Sequence, residues 1–220
     1  MNFLISIYRS KKVGKQVGEY KQYRIPYTQG MTVLDVLMHV YKHLDPTIAF
    51  RYECRQGICG TCGLMLNGIP VLSCSTQIDP KVKKNIIEPL ANFPVEKDLI
   101  VNLKPVLKKF MTIKPYLEKI NEVRISKTTA NQSKPFRKCI ECGCCIAGSK
   151  ILPREKEILD PMSLVKIARF MTDPRDGIKR KTIAQDGGVS MYNNEETQKL
   201  TQICPRGVPI DQAIELLKQK

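Results

Sequence analysis

Residues 54–74 read CRQGICGTCGLMLNGIPVLSC, and the spacing of their cysteines, Cys54, Cys59, Cys62 and Cys74, is C-x4-C-x2-C-x11-C. Four thiolates at these intervals match the ligand set of a two-iron, two-sulfur cluster. Such a cluster is a compact anion, so the loop that holds it must curl tightly and point amides at the sulfurs. Gly57, Gly60 and Gly63 supply that freedom, and Arg55 adds positive charge nearby. The competing reading of the same stretch is a zinc site using Cys59, Cys62 and other ligands, because C-x2-C pairs also serve zinc modules.

Downstream, CIECGCC places Cys139, Cys142, Cys144 and Cys145 together, and Cys204 stands alone in ICPRG. Cys139, Cys142 and Cys145 form C-x2-C-x2-C, and a remote cysteine followed by Pro205 completes the ligand pattern of a four-iron, four-sulfur cluster. Three ligands in one loop and a distant fourth would tie two chain segments together. Cys144 is then a buried non-ligand, although it competes with Cys145 on sequence alone, and Cys204 has the alternative of a small buried apolar residue.

The chain has 220 residues, nine cysteines and a formal net charge of +15. That length suggests two modest domains, each with a small core. An odd cysteine count with tight C-x2-C spacings suits metal binding in a reducing compartment better than a disulfide framework. Two clusters on eight thiolates would lower the working charge to roughly +11, still basic, so an acidic partner is expected. Basic pairs such as Lys11-Lys12, Lys83-Lys84 and Lys108-Lys109 are mixed with acids, and the chain contains no Trp, which disfavours nucleic-acid binding. No stretch approaches the ~18 apolar residues of a membrane helix, and the opening FLISI is too short for a signal peptide. The expected location is cytoplasmic, or peripheral at the membrane through partners.

Residues 3–9 and 20–27 alternate as two strands, joined by the polar connection SKKVGKQVGE. In TVLDVLMHVYKHLD, Val33, Leu34, Val36, Leu37, Val40, Tyr41 and Leu44 recur at helical spacing behind the N-cap candidate Thr32. Asn67-Gly68 marks a hairpin within LMLNGIPVL, and DLIVNL (98–103) reads as a later strand. This order is that of a β-grasp domain. From residue 104, KPVLKKFMTIKPYLEKI reads helical apart from Pro105 and Pro115, and 123–135 reads as a linker. In PMSLVKIARFMTD, Leu164, Val165, Ala168 and Met171 form an apolar helical stripe, and the terminal PIDQAIELLKQK carries another. His39 and His43 lie four apart on the first helix, where packing is the favoured reading over a metal site.

Five segments in this order, FRYECRQGICGTCGLMLNG, FMTIKPYL, KCIECGCC, MSLVKIARFMTDPRD and CPRGVPIDQAI, resemble the iron-sulfur subunit of the succinate dehydrogenase and fumarate reductase family along nearly the whole chain. The resemblance implies an α+β fold: an N-terminal β-grasp, plant-type 2Fe-2S ferredoxin-like domain over 1–103, a connecting segment over 104–130, and an all-α helical 4Fe-4S ferredoxin domain over 131–220. It implies a partner flavoprotein subunit carrying FAD, and electron relay between that flavin and an external carrier or further subunit. It assigns no substrate site to this chain itself. In the family a three-iron cluster follows, but its ligand positions here are Ser149, Asn194 and Leu200, and Lys150 replaces the proline that follows the first of them. Neutral serine and asparagine are poor substitutes for soft thiolates and leucine cannot ligate iron, so a normal third cluster is not expected. Two alternatives stand beside the two-cluster relay: a quinone-linked subunit with a modified terminal relay, and a zinc-stabilised binding protein.

Overall fold

The structure, a computed structural model, describes residues 2–10 and 17–219. Lys11, Lys12 and most of the expected hairpin connection lie outside the described residues. The chain divides into two compact units, Met1–Leu103 with Cys142–Ala147, and Lys104–Glu141 with Gly148–Lys220. Together they form a mixed α and β protein.

The first unit is built on a five-stranded sheet. β1 (Asn2–Ser10) pairs antiparallel with β2 (Gly18–Pro26) along its whole length. β3 (Gly63–Leu66) and β4 (Ile69–Leu72) form the hairpin that Asn67-Gly68 marks, both turn residues taking the left-handed conformation at φ 52° and 77°. Between these pairs lies β5 (Asn85–Glu88), parallel to β1 and antiparallel to β3, giving the order β2-β1-β5-β3-β4. Sequence alternation did not single out β5, because Ile86 and Ile87 are adjacent apolar residues on a short strand, one half-buried and one fully buried. The strand expected at 98–103 is shorter and lies elsewhere: β7 (Ile100–Val101) pairs with β6 (Val95–Lys97) in a separate two-stranded sheet.

Helix α1 (Val33–His39) starts at Thr32, whose hydroxyl accepts from the Asp35 amide while the Asp35 carboxylate accepts from the Thr32 amide. Its Val33, Val36 and Leu37 share one core with Ile5, Ile7, Ile25 and Ile87 of the sheet. Each such burial stabilises the fold by about 1.5–3 kcal/mol. The chain then widens into a π-turn over Val40–Leu44, and the expected apolar stripe breaks there: Val40 stays buried, but Tyr41 and Leu44 face solvent. A wider turn advances each residue by a smaller angle and so rotates the stripe off the core. After the turn, Asp45 accepts hydrogen bonds from Arg9, Lys21 and Tyr23, which anchors the approach to the cysteine run. Asp98 does the same further along, accepting from the amides of Ser10 and Ala49.

The second unit is helical: α2 (Lys104–Thr112), α3 (Lys127–Ser133), α5 (Pro161–Met171), α6 (Arg180–Asp186), α7 (Asn194–Ile203) and α8 (Ile210–Lys218), with the short α4 (Cys144–Gly148) spanning the division. Asp160 caps α5 through Ser163, and the helix packs on α8, burying Leu164, Val165 and Ala168 with Ala213, Ile214 and Leu217. Met171, the last member of the expected stripe, is only half-buried. α2 stops three residues before Pro115, whose ring disfavours helical backbone at Lys114. Within the expected linker, Ser126 accepts from the Thr129 amide and starts α3.

Candidate metal centres

The first cysteine run is held between α1 and the β3–β4 hairpin. The amides of Val33 and Leu34 donate to the carbonyls of Thr76 and Ser73, and the Ser73 amide donates to the Cys62 carbonyl, so the segment bearing Cys74 is fixed to both. The four sulfurs fall into two pairs. Cys62 and Cys74 are 3.4 Å apart, sulfur to sulfur, and Cys54 is in side-chain hydrogen-bond contact with Cys59. Amides converge on these sulfurs: those of Gln56, Ile58 and Cys59 each reach Cys54 Sγ at 3.4 Å, and that of Gly57 reaches Cys74 Sγ at 3.3 Å.

This geometry follows from the loop's backbone. Arg55, Gly57 and Gly60 take left-handed conformations at φ 58°, 65° and 77°, which turns successive amides inward. The Arg55 guanidinium lies over the Tyr52 ring, 5.1 Å from its centre. The amides of Gln56, Ile58 and Cys59, with the Cys59 thiol, stabilise the Cys54 thiolate and bring its pKa down to about 6. Burial, and the hydrogen bond shared with Cys62, push Cys74 up to about 11. Soft sulfurs in pairs, with amides aimed at them, fit an anionic iron-sulfur cluster. Among the described residues, no group of three or more His, Cys, Asp or Glu side chains closes up as ligands of a single ion would.

Of the second cysteine group, Cys142 and Cys145 belong to the first unit and Cys139 and Cys204 to the second. Cys139 follows the short 3-10 turn Phe136–Lys138, and Cys204 caps the C-terminus of α7, its sulfur accepting from the Val208 amide at 3.4 Å. Gly207, at φ 59°, makes that return possible. Cys142 is brought down to about 7, first by its side-chain hydrogen bond with Cys144. Cys144 itself is fully buried, and none of the nine cysteines forms a disulfide.

Sequence reasoning missed how the two cysteine loops meet within the first unit. A Cβ on Gly63, the residue after Cys62, would lie 2.9 Å from the carbonyl oxygen of Cys142, and one on Gly143 would lie 2.9 Å from the Phe93 ring. The Asn92 side chain donates to the Ile146 carbonyl at 2.7 Å. Gly63 and Gly143 are visible in the sequence as loop glycines, but their neighbours are not.

The three positions that the resemblance assigns to a third ligand set, Ser149, Asn194 and Leu200, are placed as follows. Ser149 is buried and donates to Glu196 Oε1 at 3.0 Å, which also accepts from the Lys150 amide at 2.7 Å. Leu200 is fully buried in the helical core, and Asn194 opens α7 at the surface. None of these three side chains offers a thiolate to iron. The His39 and His43 rings lie 4.9 Å apart between centres with their planes tilted by 46°, and burial followed by the neighbouring His43 lowers the pKa of His39.

Residues 4–108 match the family model for a 2Fe-2S iron-sulfur cluster binding domain. The iron-sulfur subunit of fumarate reductase from Haemophilus influenzae is 31% identical over 210 residues, covering 87% of this chain and 82% of that relative. Its counterpart from Mycobacterium tuberculosis is 30% identical over 210 residues, covering 90% and 84%. In structure, a chain of the Mycobacterium smegmatis Sdh1 complex superposes with a TM-score of 0.86 at 26% identity, covering 99% of this chain and 94% of the other. Fold and cysteine loop therefore define an iron-sulfur protein with an electron-transfer role. The chain belongs to the iron-sulfur subunit family of succinate dehydrogenase and fumarate reductase. Among the described residues, no helix is long and apolar enough to cross a membrane.

Proposed function

We propose that this chain is a two-cluster electron relay of a flavoprotein oxidoreductase, with a 2Fe-2S cluster on Cys54, Cys59, Cys62 and Cys74 and a 4Fe-4S cluster on Cys139, Cys142, Cys145 and Cys204. The pairing of the first four sulfurs, Cys54 with Cys59 and Cys62 with Cys74, carries the reading, since a two-iron cluster takes two terminal thiolates on each iron. Such clusters accept and release one electron at a time. The chain's own part is to hold the thiolates, aim amides at them and keep the two loops in backbone contact at Gly63 and Cys142. The sheet with α1 against it suits a β-grasp domain over 1–103, and the helices suit a ferredoxin domain over 131–220 joined by 104–130.

The partner in this reading is an FAD-containing subunit that interconverts a saturated and an unsaturated carboxylate, with succinate and fumarate the leading pair because the named relatives are fumarate reductase subunits. Electrons enter near Cys139, Cys142, Cys145 and Cys204 from an external carrier and leave near Cys54, Cys59, Cys62 and Cys74 toward the flavin when the partner reduces its substrate. In this reading the chain works at the cytoplasmic side and reaches the membrane through its partners. Ser149, Asn194 and Leu200 leave no third relay, which favours a carrier or further subunit over direct reaction with quinone. Metal and sulfide analysis of the purified protein tests this: about six irons with matching sulfide supports two clusters, about nine restores a third, and zinc without colour removes the redox reading. Stoichiometric quinone reduction by the purified complex, with no other carrier present, would remove the external-carrier assignment.

A further inference from the structure

Large apolar side chains crowd the surface between residues 107 and 125. Leu107 and Met111 lie one turn apart on the outer face of α2, while Phe110 faces inward and is buried. Beyond the helix, Tyr116, Ile120, Val123 and Ile125 are also exposed, Ile120 to 66%. Singly exposed apolar residues are ordinary, but a concentration of six along one segment is the kind of surface that marks an interaction site.

The strip is not a loose linker, because the second unit clamps it from behind. Arg180, 2% exposed, donates to the carbonyls of Ile113, Lys114 and Tyr116 at 2.6–2.7 Å and binds Asp176 with two nitrogens. The Gly177 amide donates to the Glu118 carbonyl at 2.9 Å, and a Cβ at Gly177 would fall 2.1 Å from the Lys119 carbonyl. The Asn121 amide donates to the Arg175 carbonyl at 2.9 Å. A buried guanidinium spent on holding backbone keeps these exposed side chains in one arrangement, so little conformational freedom is lost when a partner covers them.

We propose that this clamped strip is a docking surface for the permanently bound flavoprotein subunit, which would meet it with an apolar centre and an acidic rim. The inference rests on the proposed flavoprotein complex and goes beyond it by assigning part of the interface to the helical unit. Charge identifies the rim: Lys108, Lys119, Arg124 and Lys127 are exposed among the apolar residues, against the acids Glu118 and Glu122, of which Glu118 is paired with Lys114. The apolar content favours a permanent subunit over a diffusing carrier, whose interfaces are small. A lipid surface fits less well. Residues 117–126 are irregular, and a protein partner can meet their backbone polar groups where hydrocarbon cannot.

The test uses the full chain reconstituted with its co-purified flavoprotein subunit. Met111→Glu combined with Ile120→Glu should leave iron content, circular dichroism and melting unchanged, because both side chains are exposed, and should weaken flavoprotein binding at least tenfold. Ile120→Val should bind as wild type, and Lys119→Glu with Arg124→Glu should slow association most at low salt. In the unsubstituted complex, amide exchange across 116–125 should slow relative to the isolated chain. Undiminished binding by the double variant, or no exchange protection, overturns the inference while leaving the flavoprotein reading standing. Failure of the wild-type chain to bind any flavoprotein overturns both. Strip-dependent binding to phosphatidylglycerol vesicles, or strip-dependent self-association of the isolated chain, assigns the surface to another occupant and also overturns it.

Discussion

Replacing Gly63 with alanine probes a place where the two cysteine loops meet. The new Cβ would sit 2.9 Å from the Cys142 carbonyl oxygen and 3.2 Å from Leu90 Cδ1, whereas ordinary contact begins at 3.4 Å. The Leu90 side chain can rotate, but the carbonyl belongs to the backbone, so the loops must separate by about 0.5 Å, the difference between 2.9 and 3.4 Å. Overpacking of this kind costs about 1–3 kcal/mol. At roughly 2–4 °C per kcal/mol for a chain of this length, the melting temperature falls by about 2–12 °C. Melting should be followed through cluster absorbance, with iron content and the paramagnetic signals of each reduced cluster as second readouts. Gly68→Ala is the control, since no atom lies within 4 Å of its Cβ and only the strain of φ 77° applies. If Gly63→Ala melts, loads iron and reduces as the wild type does, the backbone contact between the loops is refuted, and with it the part proposed for that contact in the relay.

Three further outcomes follow from the same structure. Arg180→Met strands the Asp176 carboxylate and three carbonyls, so it should cost about 3–5 kcal/mol and speed amide exchange across residues 113–121, measured by mass spectrometry. Burial opposes the charge on Asp45, but hydrogen bonds from Lys21, Thr47, Tyr23 and Arg9 outweigh it and hold the carboxyl far below the usual range. Its stabilisation is therefore complete above the unfolded value of about 3.9 and lost as pH falls through the lower folded value. The melting difference between wild type and Asp45→Asn should accordingly be largest near neutrality and shrink in strong acid. Glu196→Ala leaves the Ser149 hydroxyl and Lys150 amide without their buried acceptor, which should cost about 1–3 kcal/mol in urea unfolding while iron content stays at the wild-type level.

Local chemistry made much of this molecule readable from its residues alone. Cysteine spacing is a property of the chain, so the two cysteine groups stand out before any fold is known. The Asn67-Gly68 turn, the Thr32 cap and the core stripes of α1, α5 and α8 are equally local, set by backbone preference and periodicity. The strand β5 was not legible, because its place between β1 and β3 depends on long-range pairing and its few residues show no alternation. The π-turn at Val40 was hidden for a similar reason: an α-helical stripe continues through Tyr41 and Leu44 in the sequence, and only packing shows that both leave the core.

The same division holds at the candidate metal centres. The sequence alone determined which residues could ligate iron and that Ser149, Asn194 and Leu200 could not form a thiolate set, because those are statements about side-chain chemistry. Tertiary structure decided the pairing of the sulfurs, the amides aimed at Cys54 and Cys74, the abutment of Gly63 on Cys142, and the use of Glu196 to tie Ser149 and Lys150 to α7. Each of these brings together groups far apart in the chain or bends a backbone into a rare conformation, and such contacts are stabilised by the whole fold rather than by the residues beside them in sequence.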